Sequence, residues 1–172
     1  MLETEVLIIG GGATGTGIAR DLSLRGVNCI LVEKNDINSG ASGRNHGLLH
    51  SGARYASNDP ESAIECRQEG QILKKTASHL IEQTGGLFAA VAGDDEGFIA
   101  DFKSNCDSCG IKAKELSVKE ALELEPSLAD SLIAAYLVED AAIDPFRLSL
   151  ENISQARSLG AKLFTNTELL SF

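Results

Sequence analysis

The fold of this chain is decided by the stretch Glu5-Val6-Leu7-Ile8-Ile9-Gly10-Gly11-Gly12-Ala13-Thr14-Gly15. The apolar run predicts a buried strand, and the glycines after it predict a tight turn into a helix. Gly10 makes the turn, Gly12 lets the backbone approach a pyrophosphate, and Gly15 lets the helix press on its strand. The stretch therefore predicts a dinucleotide site at a helix N-terminus.

The residues after this turn complete a β-α-β unit. The predicted helix has an apolar face made of Ile18, Ala19, Leu22 and Leu24. Gly26 ends the helix, and residues 29–32 form a second buried strand. Glu33, at the end of that strand, is placed to accept hydrogen bonds from an adenosine ribose. A glycine fingerprint alone is weak, but in this setting it predicts an adenine dinucleotide rather than an ordinary loop.

The composition is that of an α/β protein without a membrane span. Hydrophobic residues make up 43% of the chain and charged residues 23%, and the apolar runs have the length of strands. The net charge is −10 and the basic residues are scattered, which argues against a nucleic-acid partner. The start at Met1-Leu2 leads directly into the first strand, so we expect no secretory signal and a cytoplasmic location.

A large insertion separates the second strand from the third. The expected elements are a loop at 36–58, a helix from Asp59-Pro60-Glu61 to about Gln83, a strand at 87–91, a helix at 94–109, a helix that Ser117 and Glu120 cap and that ends before Pro126, a strand at 131–138, and a helix from Asp144-Pro145 to Gly160. Residues 161–172 predict a third strand and the start of another. Because no cap or turn follows, the chain is expected to be a fragment.

The loop after the second strand is rich in glycine and in hydrogen-bond donors. Two of the three histidines, His46 and His50, lie in it together with Arg44 and Arg54, all within eleven residues. Such a composition indicates binding and not a simple connection.

These residues resemble a known family. The spacing from Gly15 through Gly26 to Glu33 is similar to the flavin fingerprint of FAD-dependent oxidoreductases of the D-amino-acid oxidase and glycerol-3-phosphate dehydrogenase superfamily. The loop Gly43-Arg44-Asn45-His46-Gly47-Leu48-Leu49-His50-Ser51-Gly52-Ala53-Arg54-Tyr55, with Asp144-Pro145-Phe146-Arg147-Leu148, resembles the catalytic A subunits of anaerobic glycerol-3-phosphate dehydrogenases. The resemblance extends over nearly the whole chain, but only over the N-terminal portion of such a subunit.

The resemblance implies an α/β fold: a Rossmann-like FAD-binding domain with a large inserted α+β substrate-side segment, apparently truncated. Residues 1–58 would form the FAD-binding β-α-β unit and flavin loop, residues 59–143 the inserted helical and strand segment, and residues 144–172 the return to the FAD-binding sheet. As a fragment, the chain alone is expected to bind FAD weakly at best and to show no turnover.

The resemblance also assigns cofactor contacts. The ADP half of FAD would be held by Gly10, Gly12, Ala13, Thr14, Gly15, Glu33 and Lys34. The isoalloxazine and the ribityl chain would run beside Ser42, Arg44, Asn45, His46, Gly47 and Leu48. For Arg44 the alternative is a clamp within the loop.

The implied reaction transfers a hydride from C2 of sn-glycerol 3-phosphate to flavin N5 and yields dihydroxyacetone phosphate. His50, Arg54 and Tyr55 resemble the substrate-facing group, and the guanidinium fork of Arg54 suits the phosphate. His50 is the candidate base because imidazole titrates near neutral pH. The alternatives are that His50 contacts the flavin ring while the base lies elsewhere, and that Arg54 forms a surface ion pair.

Two other functions stay open: an FAD-dependent 2-hydroxy acid oxidase or dehydrogenase of the L-2-hydroxyglutarate type, and an inactive nucleotide-binding module. Arg54-Tyr55 favours the phosphorylated polyol substrate. The resemblance further implies partner subunits that pass electrons to a membrane quinone and a peripheral position on the inner face of the cell membrane. Cys106-Asp107-Ser108-Cys109 is only half of a metal site, so we expect reduced thiols and no metal.

Overall fold

The computed structural model describes residues 2–171, so Met1 and Phe172 lie outside the described part of the chain. The chain divides into two compact units, one that runs up to Gly47 and resumes at Asp144, and one that spans Leu48–Ile143. Residues 48–58, which the resemblance groups with the flavin loop, lie in the second unit. There, Leu48 and Leu49 pair with residues 141–142 of the same unit.

The strands are β1 (Val6–Ile9), β2 (Cys29–Val32), β3 (Leu48–Leu49), β4 (Ile81–Glu82), β5 (Gly86–Val91), β6 (Ala113–Leu116), β7 (Leu132–Val138), β8 (Ala141–Ile143) and β9 (Lys162–Phe164). The helices are α1 (Ala13–Leu24), α2 (Pro60–Thr76), α3 (Glu96–Ser108), α4 (Val118–Leu124) and α5 (Pro145–Ser158). Short 3₁₀ turns lie at Ala41–Gly43, Ala53–Tyr55 and Ser78–Leu80.

The first unit is a parallel three-stranded sheet in the order β1-β2-β9. Its core includes Ile8, Leu31, Ala19, Ile153 and Ala156, which belong to β1, β2, α1 and α5. The structure confirms the β-α-β unit and the third strand that the apolar pattern predicts.

Three expectations about the first unit are wrong. β1 is buried on one face only, since Leu7 is 44% and Ile9 62% exposed at the edge of the sheet. Ile18 and Leu24 of α1 are also exposed, whereas Ala19 is fully buried and Leu22 packs against the core. Finally, no strand follows β9 among the described residues, where the segment 166–167 instead donates backbone hydrogen bonds to residues 35 and 33.

The second unit contains two antiparallel sheets, β3-β8-β4 and β5-β7-β6. Its main core contains an aromatic cluster, in which the ring centroid of Phe102 on α3 lies 4.9 Å from that of Phe88 and 5.0 Å from that of Tyr136. Cys106 and Cys109 are buried in the same core. The two cysteines, one on the inner face of α3 and the other at its C-cap, therefore serve as small apolar side chains in this core.

The starts of α2 and α4 agree with the sequence because a nearby side chain caps each of them. Asp59 accepts a hydrogen bond from the backbone N–H of Ser62 at the start of α2, and Ser117 and Glu120 form the predicted capping box of α4. The predicted end of α2 near Gln83 is wrong. The helix ends at Thr76, because buried Leu80 turns the chain inward and Ile81 pairs with Ile143 in a sheet.

Cys106 should react slowly with iodoacetamide in the folded protein. Burial raises the pKa of this thiol from 9.0 to about 11, and only the thiolate is nucleophilic. At a pH below 9, a thiol with a pKa of about 11 has a thiolate fraction roughly 100-fold smaller than one with a pKa of 9.0. At about pH 8 the folded protein should therefore react roughly 100-fold more slowly than the protein unfolded in urea. Mass spectrometry of the peptide that contains Cys106 measures both rates. Equal rates in the native and unfolded protein would contradict the burial argument.

Among residues 2–171, no helix is both long enough and apolar enough to cross a bilayer.

Candidate functional site

The glycine turn between β1 and α1 has the geometry that the sequence predicts. Gly10 has a φ of +108°, a backbone conformation that favours glycine. A Cβ on Gly15 would collide with the carbonyl oxygen of Gly10, so only glycine lets α1 approach the end of β1 this closely. A Cβ on Gly12 would lie 2.7 Å from the Oγ of Ser42. Because Gly12 and Gly15 carry no side chains, the space next to the turn stays open.

Ser42 reaches the start of α1 from the loop after β2. Its Oγ accepts a hydrogen bond from the backbone N–H of Ala13 at 2.9 Å, whereas the N-cap residue Gly12 has no side chain to do so. Next to this contact lies a cleft of about 480 Å³, lined by the apolar residues of β1, by Ile18 and by Gly10, Gly12, Thr14, Gly15 and Ser42. The N-terminal end of the helix, with its partial positive charge, thus borders an open space suited to phosphate.

Glu33 holds the same turn from the end of β2. Its Oε2 accepts the N–H of Gly11 at 2.7 Å, and its Oε1 accepts the N–H of Asn35 at 2.8 Å. These two bonds, that of Gly11 first, lower the pKa of Glu33, so the carboxylate is ionised at neutral pH. An ionised carboxylate has about four acceptor positions, so it can also accept ribose hydroxyls. The sequence indicated the ribose contact but not the bond to Gly11. Lys34, the next residue, is exposed.

This set of groups fits an adenine dinucleotide. The helix N-terminus and the glycine turn suit a pyrophosphate, and an ionised carboxylate after β2 suits a ribose. A Cβ at Gly12 or Gly15 would fill the cradle or push the helix away. The residues present can therefore hold the ADP half of FAD.

Asn45 shapes the rest of the loop in the first unit. Its Nδ2 donates to the carbonyl of Ser42 and its Oδ1 accepts the N–H of Gly47, both at 2.8 Å. Gly47 has a φ of +71°. Arg44 and His46 are exposed. Asn45 is thus a residue that folds the loop, whatever else it binds.

In the second unit, His50 lies beside an aspartate that the sequence analysis missed. Nδ1 of His50 is 3.3 Å from Oδ2 of Asp140, and Oδ1 of Asp140 accepts the N–H of Ser51 at 2.6 Å. Asp140 is buried between β7 and β8. Because 90 residues separate it from His50, no local pattern could connect the two.

Arg54 and Tyr55 lie on the 3₁₀ turn Ala53–Tyr55, after β3. Gly52 makes this turn possible, since its φ is +97° and a Cβ there would collide with the carbonyl oxygen of Ala63 on α2. Arg54 is exposed, and within residues 2–171 its guanidinium has no hydrogen-bond or ion-pair partner. The turn thus presents an unpaired cation, with Tyr55 partly exposed next to it. Leu48 of β3 is exposed as well.

Comparison with known proteins adds a family and close relatives. The family model described as FAD dependent oxidoreductase matches residues 5–172. One subunit of the anaerobic glycerol-3-phosphate dehydrogenase of Haemophilus influenzae is 51% identical over 168 residues, which is 98% of this chain and 30% of that protein. The chain thus spans about a third of the length of this relative.

Solved structures show the same fold. The L-proline dehydrogenase from P. horikoshii aligns with a TM-score of 0.87 and 27% identity, over 99% of this chain and 46% of that one. The L-alpha-glycerophosphate oxidase from Mycoplasma pneumoniae, solved with FAD bound, aligns with a TM-score of 0.86 and 25% identity, also over 99% and 46% of the two chains.

Proposed function

Since this chain belongs to the FAD dependent oxidoreductase family, we propose that it is the FAD-binding portion of an enzyme that oxidises sn-glycerol 3-phosphate to dihydroxyacetone phosphate. The observation that carries this proposal is the 51% identity, over 98% of the chain, to a protein named as part of a glycerol-3-phosphate dehydrogenase.

The first unit holds the cofactor in this proposal. Gly10, Gly12 and the first turn of α1 would hold the phosphates, and Glu33 would hold the ribose. Bound FAD supplies the acceptor for a hydride, the chemistry that no side chain can provide. The residues of the chain contribute the binding groups: N–H donors at the helix start and one ionised carboxylate.

The second unit supplies substrate-facing groups. The unpaired guanidinium of Arg54 binds the phosphate, for which its planar fork is suited. His50 takes the proton of the C2 hydroxyl as the C2 hydrogen leaves with its electron pair. Tyr55, next to Arg54 on the same turn, contacts the substrate beside the phosphate. A surface ion pair, the alternative role for Arg54, is absent among the described residues.

The electrons then leave through other proteins. The Haemophilus influenzae relative is named as one subunit of its enzyme, which supports partner subunits for this chain as well. We extend the proposal to electron transfer onward to a membrane quinone, with this chain on the cytoplasmic side and attached through its partners.

Anaerobic addition of sn-glycerol 3-phosphate to the FAD-loaded holoenzyme should bleach the visible flavin absorption. Glycerol, which lacks the phosphate, and L-2-hydroxyglutarate serve as matched comparisons and should leave the spectrum unchanged. Bleaching by L-2-hydroxyglutarate alone would instead assign a 2-hydroxy acid substrate. A full-length enzyme that purifies without flavin absorption and takes up no added FAD would contradict the proposal altogether.

A further inference from the structure

The contact between His50 and Asp140 is of the kind that fixes the orientation of an imidazole ring. Oδ2 of Asp140 lies 3.3 Å from Nδ1 of His50, and the other carboxylate oxygen is fixed at 2.6 Å by the N–H of the neighbouring Ser51. The aspartate thus contacts two successive residues of the loop that carries the candidate base. The imidazole itself is partly accessible, with 27% of its side chain exposed.

The surroundings of Asp140 leave its carboxylate little freedom. Only 7% of the side chain is exposed. A Cβ on Gly86 of β5 would lie 2.8 Å from the Cβ of Asp140, so the backbone of β5 packs directly against it. A buried carboxylate costs free energy unless its oxygens accept hydrogen bonds. Here both oxygens have a partner: Oδ1 accepts the N–H of Ser51, and Oδ2 faces Nδ1 of His50.

We propose that Asp140 is a positioning residue for His50, which it holds in the tautomer that carries hydrogen on Nδ1 and a lone pair on Nε2. An ionised carboxylate only accepts hydrogen bonds, so the nitrogen that faces it must donate. The nitrogen with the lone pair is then Nε2, and its orientation is set by the bond on the other side of the ring.

The catalytic part of this inference rests on the proposed function. When Nε2 takes the proton of the C2 hydroxyl and the C2 hydrogen leaves with its electron pair, His50 becomes an imidazolium and the substrate a ketone; FAD, when bound, would supply the hydride acceptor. The Asp140 carboxylate then faces a positive ring, which stabilises the charge that develops.

The tautomer can be measured without any substrate. We would record long-range ¹H–¹⁵N correlations of histidine-labelled holoenzyme at about pH 8, where a neutral imidazole shows which nitrogen carries hydrogen. The chain has only three histidines, so His50→Gln assigns the His50 signals. We expect the Nδ1–H form in the unmodified protein and the Nε2–H form in Asp140→Asn. In that variant the new amide can keep the bond from Ser51 and turn its NH₂ group toward Nδ1.

Turnover gives the second readout. Asp140→Asn should lower kcat by about 100-fold or more with little change in KM, the size expected when a base loses its proton-accepting nitrogen. In the His50→Gln background the same change should have no further effect, because a residue that acts only through His50 has nothing left to position. Glu139→Gln is the matched control: it removes the same charge one residue earlier, at an exposed carboxylate paired with Lys112, and should leave kcat and the tautomer unchanged.

Several results would overturn the inference. Two of them concern the tautomer: an Nε2–H form in the unmodified protein, or an unchanged tautomer in Asp140→Asn. The third is kinetic, namely that Asp140→Asn lowers kcat in the His50→Gln background as much as it does in the unmodified protein. The fourth is an Asp140→Asn protein that does not fold, which would make the aspartate structural. If the tautomer changes as expected but glycerol 3-phosphate does not reduce the flavin, the positioning role stands and the proposed substrate fails.

Discussion

In the full-length enzyme, a Gly12→Val protein should fold but purify almost free of flavin. The ideal Cβ of residue 12 lies 2.7 Å from the Oγ of Ser42, which accepts the N–H of Ala13 at the start of α1. The serine can rotate away, so the fold survives, but the valine methyl groups then occupy the space of the pyrophosphate. With at least one charge-assisted hydrogen bond lost and the backbone held at a distance, FAD affinity should fall by more than about 100-fold.

Gly17→Ala is the matched control for this change. Gly17 lies on the same helix, and a Cβ there would meet no atom within 4 Å. Alanine is a better helix former than glycine, so Gly17→Ala should keep its flavin and gain up to about 1 kcal/mol in stability. Visible absorption of the purified proteins measures their flavin content. Thermal unfolding followed by circular dichroism measures their stability. A yellow, fully loaded Gly12→Val protein would refute the location of the pyrophosphate.

Arg54→Ala should raise the KM for sn-glycerol 3-phosphate by about 10- to 100-fold in the holoenzyme. A charge-assisted hydrogen bond to phosphate contributes about 1.5–3 kcal/mol, and Arg54 has no partner among residues 2–171 that would compete for it. Lysine keeps the charge but not the bidentate fork, so Arg54→Lys should recover only part of the loss. Steady-state kinetics measure all three proteins.

The flavin spectrum should be the same in both Arg54 variants, since Arg54 is proposed to contact substrate and not FAD. Arg157→Ala serves as the control, because Arg157 is also an exposed arginine, in the last turn of α5, and the proposal gives it no role. Unchanged KM values in Arg54→Ala and Arg54→Lys would remove Arg54 as the phosphate ligand and place the 2-hydroxy acid function on an equal footing.

Local features of the sequence predicted most of what is local in the structure. The spacing from Gly10 to Glu33 indicated the β-α-β unit and an FAD-dependent family, and the family match confirms this. The residues that begin the helices, such as Asp59 and Ser117, were readable because each bonds to a backbone N–H three residues away. The resemblance of the loop to glycerol-3-phosphate dehydrogenases is likewise confirmed by the named relative.

Local pattern failed for the end of α2 and for the burial of β1, because both depend on where the segment lies in a sheet. The sequence predicts that α2 continues to about Gln83, because apolar residues keep the helical spacing past Thr76. In the structure Ile81 instead pairs with Ile143 in a sheet. β1 looked buried because it is apolar, but its exposure depends on its position at the sheet edge, which four residues cannot specify.

What the sequence by itself determined is the β-α-β unit and the cofactor class, because a glycine turn, a helix start and a carboxylate after the next strand are fixed within about 30 residues of chain. What only the tertiary structure decided is the chemistry around His50. Asp140 reaches the imidazole because antiparallel pairing of β3 with β8 brings together segments that lie 90 residues apart. Side-chain contacts of that kind depend on how the whole unit packs, so no periodicity or spacing along the chain encodes them.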